Sequence, residues 1–214
     1  MSAFHDGYMF KAAADDPKEL AFAHAWRRLR QHEGYRPEVY IAPEGNLTVG
    51  TGINLAAQGP TLRKQLGKTR YAEIQAGKPM TRNEDYRFAR AHMSKAYDRL
   101  GKIFPSWQKL PPQTQAALMD MQFNAGEGLF GPNLKRFVAR KQWPQAAGEI
   151  ALGHKAGVSP ESPEGFRGLV SRRQRNAQDF AQGLGVKVNI PTGKPVDMKK
   201  LYTQYMQQFK KKAQ

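Results

Sequence analysis

The chain has no cysteine. That excludes a disulfide framework and any thiolate metal site. No apolar run is long enough to cross a bilayer as a helix. The first sixteen residues hold Phe4, Tyr8, Met9 and Phe10 but no continuous apolar segment, so they do not read as a secretory leader. The five histidines, His5, His24, His32, His92 and His154, show no ligand spacing, and His32-Glu33 lacks the second His of a zinc motif. No metal and no cofactor are expected. Acidic residues are scarce: 18 Asp and Glu stand against 34 Lys and Arg, a net charge of +16. Such a field attracts polyanions without choosing among them. Nucleic acid and anionic cell-envelope polymers both qualify.

What is present reads as mostly helical, with no internal repeat. Asp16-Pro17-Lys18-Glu19 is a helix start, with an Asp cap, Pro at the first helical position and Glu in the first turn. Leu20, Phe22, Ala23, Trp26 and Leu29 continue at helical spacing, and the helix should close near Glu33-Gly34. Val39 to Ala42 and Leu47 to Val49 read as two short strands joined by a turn at Pro43-Glu44-Gly45. Thr81-Arg82-Asn83-Glu84 is a capping box opening a long helix toward Phe104. Pro111-Pro112 opens another, running to Phe123. Shorter helices are expected over 134–140 and 144–152, and a longer one over 166–180. Val186 to Val196 reads as a linker with Pro191 and Pro195. Beyond it, Met198, Leu201, Tyr202, Tyr205, Met206 and Phe209 form one apolar stripe, flanked by Lys199, Lys200, Lys210, Lys211 and Lys212. The organisation is therefore an N-terminal extension at 1–16, a principal domain at 17–185, and a linker with a basic amphipathic helix at 186–214. That helix suits docking on the domain, an assembly partner, or an anionic surface.

Four blocks carry a family resemblance. They are His32-Glu33-Gly34 followed by the Gly-punctuated strand pair with Thr48; Met119 to Gly126, containing Phe123-Asn124-Ala125-Gly126; Asn133-Leu134-Lys135 with Trp143 to Ala147; and Gly168-Leu169-Val170-Ser171-Arg172-Arg173. In this order they resemble the phage-type lysozymes, the endolysin muramidases, over roughly residues 20 to 183. The resemblance implies an α+β, mainly helical, two-lobed lysozyme-like fold: a small β-hairpin lobe, a long connecting helix and a helical lobe. It implies a peptidoglycan-degrading glycosidase acting on the bond between N-acetylmuramic acid and N-acetylglucosamine. It assigns Glu33 and Thr48 to the catalytic positions, Arg172 to orienting the acid, and Asn54, Phe123, Asn124 and Asn133 to the cleft. Phe123 equally suits plain core.

The chemistry agrees with those residue types. Glycosidic cleavage needs a proton on the leaving oxygen and an attack at the anomeric carbon. The acid must hold its proton near neutrality, and the negative end of a helix dipole disfavours a carboxylate there. Amide side chains such as Asn54 and Asn124 pair with both halves of an N-acetyl group. The Gly50-Thr51-Gly52 run admits two readings: close approach of backbone to a sugar, or a turn requirement.

One position departs from the family pattern. Where the family has a strand Asp, this chain has Ala42. Glu44, two residues on, is the possible replacement base. Three outcomes stay open: hydrolysis with a displaced base, lytic transglycosylation by Glu33 alone, or peptidoglycan binding without cleavage by a degenerate fold. The expected partner is bacterial peptidoglycan, with the C-terminal helix available to an anionic envelope surface or virion proteins. Arg27-Arg28, Arg172-Arg173-Arg175 and Lys210 to Lys212 accompany no nucleic-acid module, so no specific nucleic acid is expected. The resemblance implies a phage-encoded enzyme acting at the host cell wall, either released from the cytoplasm or carried in the virion.

Overall fold

The computed structural model describes residues 15–42, 45–125, 130–152, 163–190 and 198–210. Residues 1–14 of the expected extension, Glu44 and Asp197 lie outside the described residues. So do the side chains of Glu33 and Asn124.

Helix α1 (Pro17–Glu33) is followed by strands β1 (Arg36–Ile41), β2 (Leu47–Gly50) and β3 (Ile53–Asn54). Then come α2 (Leu55–Leu66), α3 (Lys68–Gln75), α4 (Arg82–Ile103), a short 3-10 turn at Trp107–Lys109, α5 (Pro112–Ala125), α6 (Pro132–Ala139), α7 (Trp143–Leu152), α8 (Pro163–Gly183) and α9 (Met198–Lys210). The three strands form one antiparallel sheet in the order β1-β2-β3. This is the expected mainly helical α+β class. β3, α2 and α3 are additions to the sequence reading.

The expected caps form. Asp16 Oδ1 accepts from the Lys18 N–H at 2.8 Å. Thr81 and Glu84 close their box reciprocally: the Thr81 N–H donates to Glu84 Oε2 at 2.8 Å, and the Glu84 N–H to Thr81 Oγ1 at 3.3 Å. Such reciprocity satisfies two donors that a helix start leaves orphaned.

The chain divides into two compact units, with both divisions falling inside helices. Residues 26–95 form one unit. Its core is Val49, Ile53, Leu55, Leu62, Ile74, Met80 and Phe88, with Val39, Leu66 and Tyr71 packed against it. The other unit takes in the chain to Ala25 and from Ala96 onward. Its core includes Phe22, Leu100, Phe104, Trp107, Leu118, Met119, Ile150 and Phe180, all fully buried. Burying one such large side chain contributes about 2–3 kcal/mol. Tyr97 meets Phe22 and Trp107 edge to face.

In this second unit α9 lies against α7. The Tyr205 phenol donates to the Pro144 carbonyl at 2.8 Å. A Cβ on Gly148 would fall 2.1 Å from the Tyr205 ring, so glycine is required for the helix to seat. Tyr205, from the apolar stripe of the C-terminal helix, is thus buried against the domain. Ile190, the last described residue before the helix, is buried as well.

Candidate active site

Glu33 is the last residue of α1. Gly34 follows with φ +75°, a left-handed conformation that stops the helix and turns the chain toward β1. The Gly34 N–H donates to the Arg30 carbonyl at 3.1 Å. Tyr35 then donates its phenolic hydrogen to the Met80 carbonyl, and burial pushes its pKa up to about 12. The chain leaving Glu33 is therefore held within two residues of the helix end.

Thr48 sits on the central strand, directly opposite Tyr40 of β1 and Asn54 of β3. These three residues form a row across the sheet. Thr48 is only 5% exposed, and its hydroxyl donates to the Asn46 carbonyl at 3.1 Å. That leaves its oxygen as an acceptor. Ala42 stands at the hairpin turn. Its N–H donates to the Asn46 carbonyl at 2.9 Å, and its carbonyl accepts from the Gly45 N–H at 2.8 Å. Its methyl supplies no acid or base.

Asn54 has a structural task. Its carboxamide oxygen accepts from the Ala56 and Ala57 N–H groups at 2.9 and 3.1 Å, capping α2. The Gln58 side chain returns to the Asn54 N–H at 3.0 Å. Its amide nitrogen makes none of these capping bonds.

The Gly50-Thr51-Gly52 run serves the turn. Gly50 and Gly52 take φ of +65° and +82°. A Cβ on Gly50 would fall 2.3 Å from Asp85 Oδ1. That vacancy admits a buried carboxylate the sequence reading did not single out. Asp85, 0% exposed, accepts from the Thr51 N–H at 2.9 Å, the Thr51 hydroxyl at 2.9 Å and the Trp26 indole at 3.0 Å. Burial pushes its pKa up, against the downward pull of these donors and of Arg30. Asp85 thus ties α4, α1 and the β2–β3 turn together. Its signal in the sequence was masked by its place just after the capping Glu84, where an acid reads as a dipole partner.

The remaining candidates belong to the other unit. Arg172, expected to orient Glu33, is buried, and its Nε and Nη2 donate to Asp120 at 3.1 and 2.9 Å. Asn176 donates to the same carboxylate at 2.8 Å. Asp120 is a second buried acid that sequence reasoning passed over, because it lies within the apolar run of α5. Arg173 is buried too and donates to the Ile150 and Glu149 carbonyls at the end of α7. Burial brings its pKa down to about 10. Neither arginine offers a nucleic-acid surface. Phe123 is 45% exposed, so the plain-core alternative fails for it. Asn133, in the first turn of α6, accepts from Arg136 at 3.0 Å.

Among the described residues no three His, Asp or Glu side chains group as a metal site. No described helix is long and apolar enough to cross a membrane.

A helix-end glutamate leading into a three-stranded sheet with a buried Thr, in a chain whose other unit is largely helical, is the composition of a lysozyme-type glycosidase. A family model described as phage lysozyme matches residues 30–176, and the chain belongs to that family. No curated protein matches it. Membership makes the chain a phage-related, peptidoglycan-degrading glycosidase in general class, with peptidoglycan as its substrate.

Proposed function

We propose that the chain is a muramidase that cleaves the N-acetylmuramic acid–N-acetylglucosamine bond with Glu33 as general acid. The observation that carries this reading is local. Glu33 closes α1, and the hairpin bearing Thr48 opposite Tyr40 begins directly after it. Glu33 donates its proton to the glycosidic oxygen as the bond from the anomeric carbon breaks. In the hydrolytic course a water adds to that carbon and gives its proton to a second base, for which Glu44 is the candidate. Thr48 supplies an acceptor oxygen to position the water or the sugar. Arg172 orients the acid, and Asn54, Phe123, Asn124 and Asn133 contact the sugars.

Ala42 favours a second course, because no carboxylate stands at the family's base position. The C6 hydroxyl of the same sugar attacks the anomeric carbon and returns its proton to Glu33. A 1,6-anhydro ring forms and no water is consumed. That is lytic transglycosylation.

Residues 17–185 carry the catalytic work in this proposal, with 1–16 as an extension. The lysines of 186–214 face an anionic envelope surface or virion proteins. The protein acts at the host cell wall, released from the cytoplasm or delivered in the particle.

Mass spectrometry of products from purified peptidoglycan tests the proposal. Glu33→Gln should cost ~10²-fold or more in turnover while binding persists. A variant keeping more than about a tenth of wild-type rate removes Glu33 from the acid role. Reducing ends bearing one added water identify hydrolysis, and products lighter by one water identify transglycosylation. Ala42→Asp should raise hydrolytic yield. A fall in yield would mean that the vacated position serves the parent reaction.

A further inference from the structure

Helix α6 buries Leu134, Phe137 and Val138 and turns a cationic face to solvent. Pro132, Lys135, Arg136, Ala139 and Arg140 are exposed at i, i+3, i+4, i+7 and i+8, and Lys141 is exposed just after them. Residues 128–148 contain no Asp or Glu. Among the described residues no carboxylate pairs with Lys135, Arg136, Arg140 or Lys141. Arg136 donates to the neutral Asn133 side chain at 3.0 Å. The end of the helix adds a second observation. The Lys141 N–H donates to the Val138 carbonyl at 3.1 Å and the Gln142 N–H to the Phe137 carbonyl at 2.9 Å, which is a Schellman closure. Its left-handed position ordinarily falls to glycine. Here it is Lys141, with φ +55°, the one non-glycine with positive φ among the described residues. A side chain kept against backbone strain points to a task for that side chain.

Four cations on one convex face fit a partner that brings many anionic groups to it at once. A layer of anionic lipid headgroups does so, and each cation near it strengthens binding about fivefold. The uncharged exposed members of the face, Pro132 and Ala139, are too small to enter the acyl layer. The face carries no exposed aromatic ring on which a base could stack, so a single-stranded nucleic acid is the poorer occupant. We propose that α6 docks on an anionic phospholipid surface through Lys135, Arg136, Arg140 and Lys141, by charge and without insertion. Such docking holds the chain at a membrane whatever bond it cleaves. It involves neither Glu33 nor the C-terminal lysines.

The test is sedimentation of the full chain with vesicles of phosphatidylcholine, alone or mixed with phosphatidylglycerol, alongside a thermal melt of each variant. The wild type should bind the mixed vesicles only, and high salt should release it. Arg140→Gln combined with Lys141→Gln should weaken binding about twentyfold. Arg63→Gln combined with Lys64→Gln, which removes the same charge from exposed positions at the end of α2, should stay within about twofold. Lys141→Gly should weaken binding about fivefold while its melting temperature holds or rises, because glycine takes the left-handed conformation without strain. A residue kept only for the helix end would show the reverse, a lower melting temperature with binding unchanged, and that result overturns the proposal. So would no binding by the wild type, equal losses in the α6 and α2 variants, or binding to neutral vesicles that survives high salt. Tighter binding to soluble polyphosphate than to mixed vesicles at equal phosphate would assign the face to a polyanion instead and equally overturn it. Failure of the glycosidase reading has a separate mark: no products released from peptidoglycan, whatever the vesicles show.

Discussion

Asp85 and Asp120 are both removed from water, one in each unit, and they are held by different chemistry. Around Asp85 the hydrogen bonds come from neutral donors, the Thr51 backbone, the Thr51 hydroxyl and the Trp26 indole. Asp120 instead meets the Arg172 guanidinium through two nitrogens and takes a further bond from Asn176. Neutral donors satisfy the lone pairs of a carboxylate but add no opposite charge, and with Arg30 acting only from a distance burial prevails and the Asp85 pKa rises. A guanidinium supplies the opposite charge and two aligned donors at once. The first device joins three elements around the hairpin that carries Thr48. The second joins α5 to α8, which also meet where the Thr114 hydroxyl donates to the Phe180 carbonyl at 3.0 Å.

Removing Asp120 should have the largest effect. Asp120→Ala removes the carboxylate to which the buried Arg172 and Asn176 both donate and should cost about 3–5 kcal/mol in urea unfolding. A loss below about 1 kcal/mol would mean that water reaches the guanidinium. Gly50→Ala comes next, at about 2–4 kcal/mol, since it adds left-handed strain to a collision with Asp85. A neutral effect would show that the Asp85 pocket relaxes freely.

Asp85→Asn should cost about 1–3 kcal/mol at pH 7, because an amide NH2 replaces one acceptor oxygen among donors. Its effect should also depend on pH. The folded pKa of Asp85 lies above its ordinary value of 3.8. Protonation therefore favours the folded state, and this contribution is complete below 3.8 and lost as pH rises through the folded pKa. Asp85→Asn should remove that decline from the stability profile. An unchanged slope would show that Asp85 does not titrate there.

The smallest effect is expected at the Arg70–Glu84 pair. Hydrogen bonding from Arg70 holds the Glu84 pKa down at about 2. Its contribution is present above the unfolded value of 4.5 and lost as pH falls toward 2. The pair is partly solvated, so Glu84→Gln should cost about 1 kcal/mol at pH 7 and flatten the acid limb. A steeper acid limb in the variant would reverse the sign of this argument.

The sequence by itself determined the helix starts at Asp16 and Thr81, the end of α1 at Glu33, the β1–β2 hairpin, and the amphipathic C-terminal helix. Each is written within a turn or two of chain, as a cap, a glycine or an apolar period. It missed α2, where Gly59-Pro60 looks like a breaker, although the Asn54 cap and the Gln58 return bond sustain the helix around it. It missed β3 because two residues carry no period. The family was legible as well, since the resembling blocks keep their order along the chain. Which acids are buried, and by what, was not. Asp85 finds Trp26 across 59 positions and Thr51 across 34, while Asp120 finds Arg172 across 52 and Asn176 across 56. Those pairings exist only once the elements have packed. Burial and counter-charge are properties of the assembled interior, and no local pattern encodes which donor will close over a carboxylate.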